Sequence, residues 1–213
     1  MDGVITNSMP DHFRAWKKVL ANEGVHVSHF DIYCREGQRG INSIEELFAE
    51  KKKPYTLQKA RELLQKKEHL FKKIVKRRFI PGTRSFLKFL HNDQYRLALV
   101  TGTSRHELHQ VLPDHLYDLF DVVVTGNDVQ NGKPHPEPYL RAIRKLKIKP
   151  SEAVVVENAP FGIRSAKAAG LTCLAIATSL TKKHLGEADH VFTGIDELRR
   201  KINFTSVNGH ASR

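Results

Sequence analysis

No stretch of the chain approaches the roughly 20 apolar residues that a membrane-spanning helix needs, and the N-terminus lacks the basic-then-apolar order of a secretory signal. Membrane insertion is therefore excluded as a reading, and a cytoplasmic setting is expected. Cysteine is nearly absent: Cys34 and Cys173 are the only two, far apart, with no CxxC or Cys/His spacing. That excludes a disulfide framework and a zinc site, and leaves two buried thiols as the expectation. There is no internal repeat and no low-complexity segment beyond a lysine-rich stretch, which sets repeat architectures aside. Acidic residues are also short, 23 Asp and Glu against 35 Lys and Arg, for a formal charge of +12.

The basic excess is local. Lys51, Lys52, Lys53, Lys66, Lys67, Lys72, Lys73, Lys76, Arg77 and Arg78 are opposed only by Glu62 and Glu68. The simplest reading is a solvated face of one long helix, with steering of phosphate second and nucleic-acid contact last. No reading helix, aromatic stacking array or zinc ligand set accompanies the charge, so the sequence argues against a nucleic-acid partner.

With 213 residues, 40% of them hydrophobic and 27% charged, the chain has the composition of a folded globule of one domain plus a modest insertion. From about Asp11 to Phe79, apolar residues return at three and four: Phe13, Trp16, Val19 and Leu20, then Ile44, Leu47 and Phe48, then Leu63, Leu64, Leu70, Phe71, Ile74 and Val75. That period predicts helices, with Trp16 in their shared core. After Pro81-Gly82 the texture changes. Short apolar β-rich runs at Leu97 to Thr101, Val122 to Thr125, Ala153 to Glu157, Cys173 to Ala177 and Val191-Phe192 alternate with helical stretches. Runs of β-branched residues without alternation predict strands covered on both faces, joined by right-handed helical crossovers. The expected fold is α/β: a Rossmann-like parallel sheet core, residues 1–11 plus 81–204, carrying an inserted α-helical cap, residues 12–80. A polar tail follows at 205–213.

In such sheets ligands bind beyond the carboxyl ends of the strands, where Thr101, Thr125 and Glu157 stand. Four stretches are expected to converge there: Asp2-Gly3-Val4, Thr101-Gly102-Thr103-Ser104, Gly132-Lys133-Pro134, and Glu157-Asn158 followed by Gly162. They supply an acid/base carboxylate, a hydroxyl with backbone amides, an ammonium and hard oxygens for magnesium. Those are the parts phosphoryl transfer needs, because positioning and charge stabilisation do most of its work.

The same four stretches, in the same order, resemble the motifs of the haloacid dehalogenase superfamily of aspartate-nucleophile phosphatases. Met1 to Ser8 resembles the first motif, Thr101 the second, Lys133 the third, and Val156-Glu157-Asn158-Ala159-Pro160-Phe161-Gly162-Ile163 the fourth. Within the superfamily the chain is similar to the branch of β-phosphoglucomutase-like and phosphoglycolate-phosphatase-like enzymes, and the stretch His12 to Lys17 looks especially like the mutase-like members. The resemblance implies a Mg2+-dependent phosphatase of small phosphorylated metabolites, sugar phosphates above all, working through an aspartyl phosphate. A phosphomutase or a catalytically silent binding module are the alternatives.

The roles implied are Asp2 as acid/base, Thr101 and Lys133 on the transferring phosphate with Gly102 and Thr103 beside them, and Asp2, Glu157 and Asn158 on the metal. His12 is implied as a contact to the sugar phosphate. Arg35 or Arg39 stands in for a cap arginine replaced near Ser43. A monomer or weak dimer is expected. Two positions depart from the pattern. Asn158 stands where an aspartate is usual, which moves metal affinity onto Glu157. The nucleophilic aspartate and the apolar strand before it are expected one position upstream of Met1, so the 213 residues by themselves are expected to turn over little or not at all.

Overall fold

The structure is a computed structural model, and it describes residues 1–204. The expected tail lies outside the described residues.

Four helices make the cap: α1 (Met9–Ala21), α2 (His29–Tyr33), α3 (Gly40–Glu50) and α4 (Leu57–Ile74). Their apolar period does the work. Phe13, Trp16, Val19 and Leu20 of α1, Ile44, Leu47 and Phe48 of α3, and Ala60 and Leu63 of α4 close into one buried cluster. Side chains begin two of these helices. Thr56 Oγ accepts from Lys59 N at 3.2 Å to start α4, and Ser28 with Asp31 forms a reciprocal capping box on α2. The long basic helix expected from Lys51 onward is shorter: Lys51 to Lys53 lie ahead of α4 and Lys76 to Arg78 follow it. Lys67 corrects the expectation of a fully solvated face, since it is only 4% exposed.

The core alternates as expected: α5 (Thr83–Asn92), β1 (Ala98–Val100), α6 (Arg105–Val111), α7 (Asp114–Tyr117), β2 (Val122–Val124), α8 (Glu137–Leu146), β3 (Val154–Glu157), α9 (Pro160–Ala168), β4 (Thr172–Ile176), β5 (His190–Phe192) and α10 (Ile195–Lys201). All strand pairs are parallel. β1 pairs β2 in the register Ala98 to Val122, β3 pairs β4 from Val154 to Thr172, and β4 pairs β5 from Leu174 to His190. Helix α8 packs on β1 and β2, and α9 packs on β3 and β4, the strands it connects.

The strands expected of a parallel core pair in two groups, β1-β2 and β3-β4-β5. Between β1 and β3 lies a cavity of about 530 Å³, lined by Leu99, Val100, Val155 and Val156 and by Leu87 of α5 and Ala142 of α8. The facing edges of β1 and β3 pair with no other strand among the described residues.

Cap and core are joined by two segments that pair with each other. Asn7 N donates to Arg78 O at 2.8 Å and Ile80 N to Ile5 O at 3.0 Å, around an antiparallel bridge between Thr6 and Phe79. The cap boundary expected at residue 11 falls inside α1, which starts at Met9 because Pro10 suits a first helical turn and Met9 already packs in the cap cluster.

Candidate active site

The carboxyl ends of β1 and β3 are tied together by one side chain. Lys133 Nζ donates to Val100 O at 3.1 Å and to Glu157 Oε1 at 2.5 Å. Tyr139 of α8 donates its hydroxyl to the same oxygen at 2.5 Å, and Asn158 N donates to Glu157 Oε2 at 3.1 Å. Glu157 is thus buried and fully bonded. Burial is the largest influence and pushes its carboxyl up, but the Lys133 ammonium, the Met1 amino group and the hydrogen bonds from Lys133 and Tyr139 together hold it below the ordinary glutamate value. Burial, then the adjacent Glu157, push the Tyr139 phenol well above its usual value.

Asp2 is 8% exposed and similarly engaged. Ser8 Oγ donates to Oδ1, Thr103 Oγ1 donates to Oδ2 at 2.9 Å, and His12 Nε2 stands 3.3 Å from Oδ1. Burial would raise the Asp2 carboxyl, yet His12, then the Met1 amino group and Ser8, hold it well below the usual range, so it is ionised. Because Ser8 is turned to Asp2, its side chain does not cap α1. His12 stacks on Phe71 of α4, ring centroids 3.9 Å apart. Thr101, buried at the end of β1, accepts from Thr103 N at 3.1 Å and so fixes the turn that carries Thr103.

A cap loop, Arg35 to Arg39, lies over these groups. Gly37 sits against the Lys133 side chain in a left-handed conformation, φ +82°, and a Cβ at Gly102 would run into the carbonyls of Gly37 and Gln38, so the approach of loop to loop requires glycine. Glu36 Oε2 accepts from Asn158 Nδ2 at 2.7 Å, while Glu36 Oε1 is buried with no partner. Burial first, then Asp2, push the Glu36 carboxyl well above its ordinary value.

Between this loop, α1, α4 and the turn at Gly102 is a cavity of about 160 Å³, with Asp2, His12, Glu36, Arg39, Lys67 and Thr103 in its wall. Thr101, Lys133, Glu157 and Asn158 do not line it. They reach it through Thr103, Gly37 and Glu36.

The structure therefore gathers Asp2, His12, Gly102, Thr103 and Arg39 at the cavity, with Thr101, Lys133, Glu157 and Asn158 bonded directly beneath the same loop. Arg35 is different. Although it lines the cavity, its guanidinium is spent inside the cap on Glu46, Glu50 and Asp31 O. Arg39 instead clasps the core, donating to Gln130 O at 2.5 Å. Ser43 donates to Gln38 Oε1 at 2.8 Å.

Four neighbours of the site escaped sequence reasoning: Glu36, Lys67, Glu107 and Tyr139. Lys67 pairs with Glu107 of α6 at 3.0 Å, both buried, joining cap to core at the cavity wall. Lys67 was hidden in a lysine-rich run, and Glu107 stands three residues after Ser104, whose hydroxyl accepts from Glu107 N, a spacing that signals a helix cap. Tyr139, in the first turn of α8, carries no motif.

Among the described residues no three His, Cys, Asp or Glu side chains cluster so as to hold a metal ion. A magnesium site does not need three: it takes a few hard oxygens with water and phosphate. The unpartnered Glu36 Oε1, next to the Asn158 amide, fits that chemistry, with Asp2 close by and the Glu157 oxygens already shared with Lys133, Tyr139 and Asn158 N. No helix of the described residues is long and apolar enough to cross a membrane.

The haloacid dehalogenase-like hydrolase family matches residues 1–176. A phosphorylated carbohydrates phosphatase of Thermotoga maritima is 31% identical over 175 residues, 80% of this chain and 79% of that protein. The β-phosphoglucomutase of Bacillus subtilis is 28% identical over 185 residues, 83% of this chain and 80% of that one. A β-phosphoglucomutase-like structure from Bacteroides vulgatus superposes with a TM-score of 0.83 at 32% identity, covering 94% of this chain and 84% of the other. Four separated segments meeting at the strand ends under a helical cap, together with these likenesses, place the chain among the haloacid dehalogenase-like hydrolases, in the branch of phosphatases and β-phosphoglucomutase-like proteins.

Proposed function

We propose that the protein is a Mg2+-dependent phosphatase of a small phosphorylated compound, a sugar phosphate above all. One observation carries the reading: Asp2, the Thr101 turn, Lys133 and Glu157-Asn158, scattered over the chain, are held beneath a single cap loop by named hydrogen bonds. Lys133, fixed by Glu157 and Val100 O, presents its ammonium to phosphoryl oxygens. Thr103 and the Gly102 turn supply the neutral donors.

Ionised and held by Ser8, Thr103 and His12, Asp2 is poised to take a proton from attacking water. To protonate a leaving oxygen Asp2 must first take up a proton from water, which the His12 contact opposes, and His12 sits on the first cap helix, so cap movement controls that step. Asn158, Glu157 and the Asp2 carbonyl would hold Mg2+, whose chemistry when bound is to neutralise phosphoryl charge. The resemblance implies an aspartate nucleophile for the reaction, with Asp2 as the second carboxylate.

The test is metal-dependent phosphate release from a panel of sugar phosphates, comparing the 213 residues with a form extended at its N-terminus by an apolar strand ending in aspartate. No release from any compound by the extended form defeats the reading. The phosphomutase alternative ranks lower because Arg35, one of the two arginines expected to grip a second phosphate, is committed to Glu46 and Glu50.

A further inference from the structure

Glu36 is the one acidic side chain of the cap that reaches the core motifs and ends there with an oxygen to spare. The loop between α2 and α3 delivers it: Gly37, in a left-handed conformation, lies on Lys133 and directs the preceding residue inward. Glu36 is 8% exposed and lines the cavity with Asp2. Oε2 rests on the Asn158 amide at 2.7 Å, and Asn158 Nδ2 also donates to Ser179 Oγ at 2.9 Å. Oε1, buried, has no hydrogen-bond partner.

A buried carboxylate oxygen left bare beside a second buried carboxylate costs free energy unless something positive meets it. Asn158 adds to the case. Its amide brings an oxygen without charge to a position where a hard divalent cation gains most from a carboxylate, and the carboxylate bonded to that amide is Glu36, supplied from 122 residues away in the other domain.

We propose that Glu36 is a ligand of the divalent cation, contributing from the cap the negative charge that Asn158 does not contribute from the core, so that metal binding and cap closure are one event. The proposal rests on the metal-dependent reading above and goes beyond it by assigning the cation to both domains. A purely structural Glu36 would only accept the Asn158 hydrogen bond, and glutamine does that equally well. Charge is what separates the two roles.

The probe is Mn2+, titrated into the 213-residue protein and followed by the paramagnetic resonance of the free ion, with small-angle scattering on the same samples to read cap closure. Circular dichroism confirms that each variant is folded. Wild type is expected to bind Mn2+ and become more compact. E36Q is expected to bind about 10- to 100-fold more weakly, as loss of a metal-site interaction does, and not to compact. In E36Q/N158D, with the charge returned from the core side, affinity is expected to recover while compaction does not.

E36Q affinity within twofold of wild type overturns the proposal and leaves the phosphatase reading standing. Recovered affinity in E36Q/N158D accompanied by full compaction overturns the coupling. Absence of Mn2+ binding in both wild type and N158D overturns this proposal together with the metal-dependent reading.

Discussion

The two sides of the site are built on different terms. On the core side, Lys133, Glu157 and Tyr139 form a closed set: each polar atom of the Glu157 carboxylate is matched, and the three side chains sit on or beside regular elements. On the cap side, a five-residue loop carries Arg35 bound inward to its own domain, Arg39 clasping the core, and Glu36 with one oxygen matched and one bare. The difference teaches where adaptability resides. A fully matched buried network has one good arrangement and holds its ammonium in place, whereas the half-matched loop can still gain by changing partners. The first suits the constant part of a family of substrates, the phosphoryl group, and the second the variable part.

Breaking the core side should have the largest effect. K133M strips the buried Glu157 of its counter-charge and is expected to cost about 3–5 kcal/mol in urea denaturation, with phosphate release abolished in the extended form. Adding E157Q should return much of the stability and none of the activity. Equal stability of K133M and wild type would show that the pair is not the fixed point claimed here.

A cavity in the cap sharpens the contrast. Leu47 is fully buried in the helical cluster, and L47A is expected to lose about 3 kcal/mol. Hydrogen exchange should place the loss in α1, α3 and α4 and spare β3 and β4. Exchange that rises equally in the strands would mean that cap and core unfold as one unit.

Smaller still is the start of α4. T56A removes the acceptor for Lys59 N and should cost about 1 kcal/mol, seen as a lowered melting temperature. The smallest effect belongs to the far end of the core. Glu197 accepts from Lys201, and from Thr193 N and Oγ1, and these bonds pull its carboxyl down to about 2. A depressed carboxyl stabilises above its unfolded value of 4.5 and loses that contribution as pH falls toward about 2. E197Q should therefore melt slightly below wild type near neutrality, with the gap closing across that acid window. A gap that persists below pH 2 would point to packing instead.

Much of this was legible in the sequence because periodicity reports directly on which face is buried. The apolar spacing of Phe13 to Leu20 and Ile44 to Phe48 marked the cap core, and the Val-rich runs marked β1 to β3. The motif residues carried chemistry that few other patterns explain. Lateral pairing was less visible: a run such as Val154 to Glu157 says strand but not which neighbour it has, and its parallel partner at Thr172 to Ala175 emerges only in three dimensions. Lys67 and Glu107 illustrate the other limit. Each is an ordinary charged residue on its own helix, and only the approach of α4 to α6 makes them a buried pair. Glu36 was passed over between two arginines for the same reason, since its significance lies in Asn158.

The paired strands of chain at Ile5 to Asn7 and Arg78 to Ile80 carry a mechanical consequence. Two connections bonded to each other act as a single pivot, so the helical domain swings about an axis and does not tumble on two loose tethers. Groups near that axis, Ser8 and His12 among them, travel a short arc, enough to lengthen the 3.3 Å contact of His12 with Asp2, while the loop bearing Glu36, farther out on the lever, sweeps a longer path. The same small rotation can thus retune one contact and make or break another.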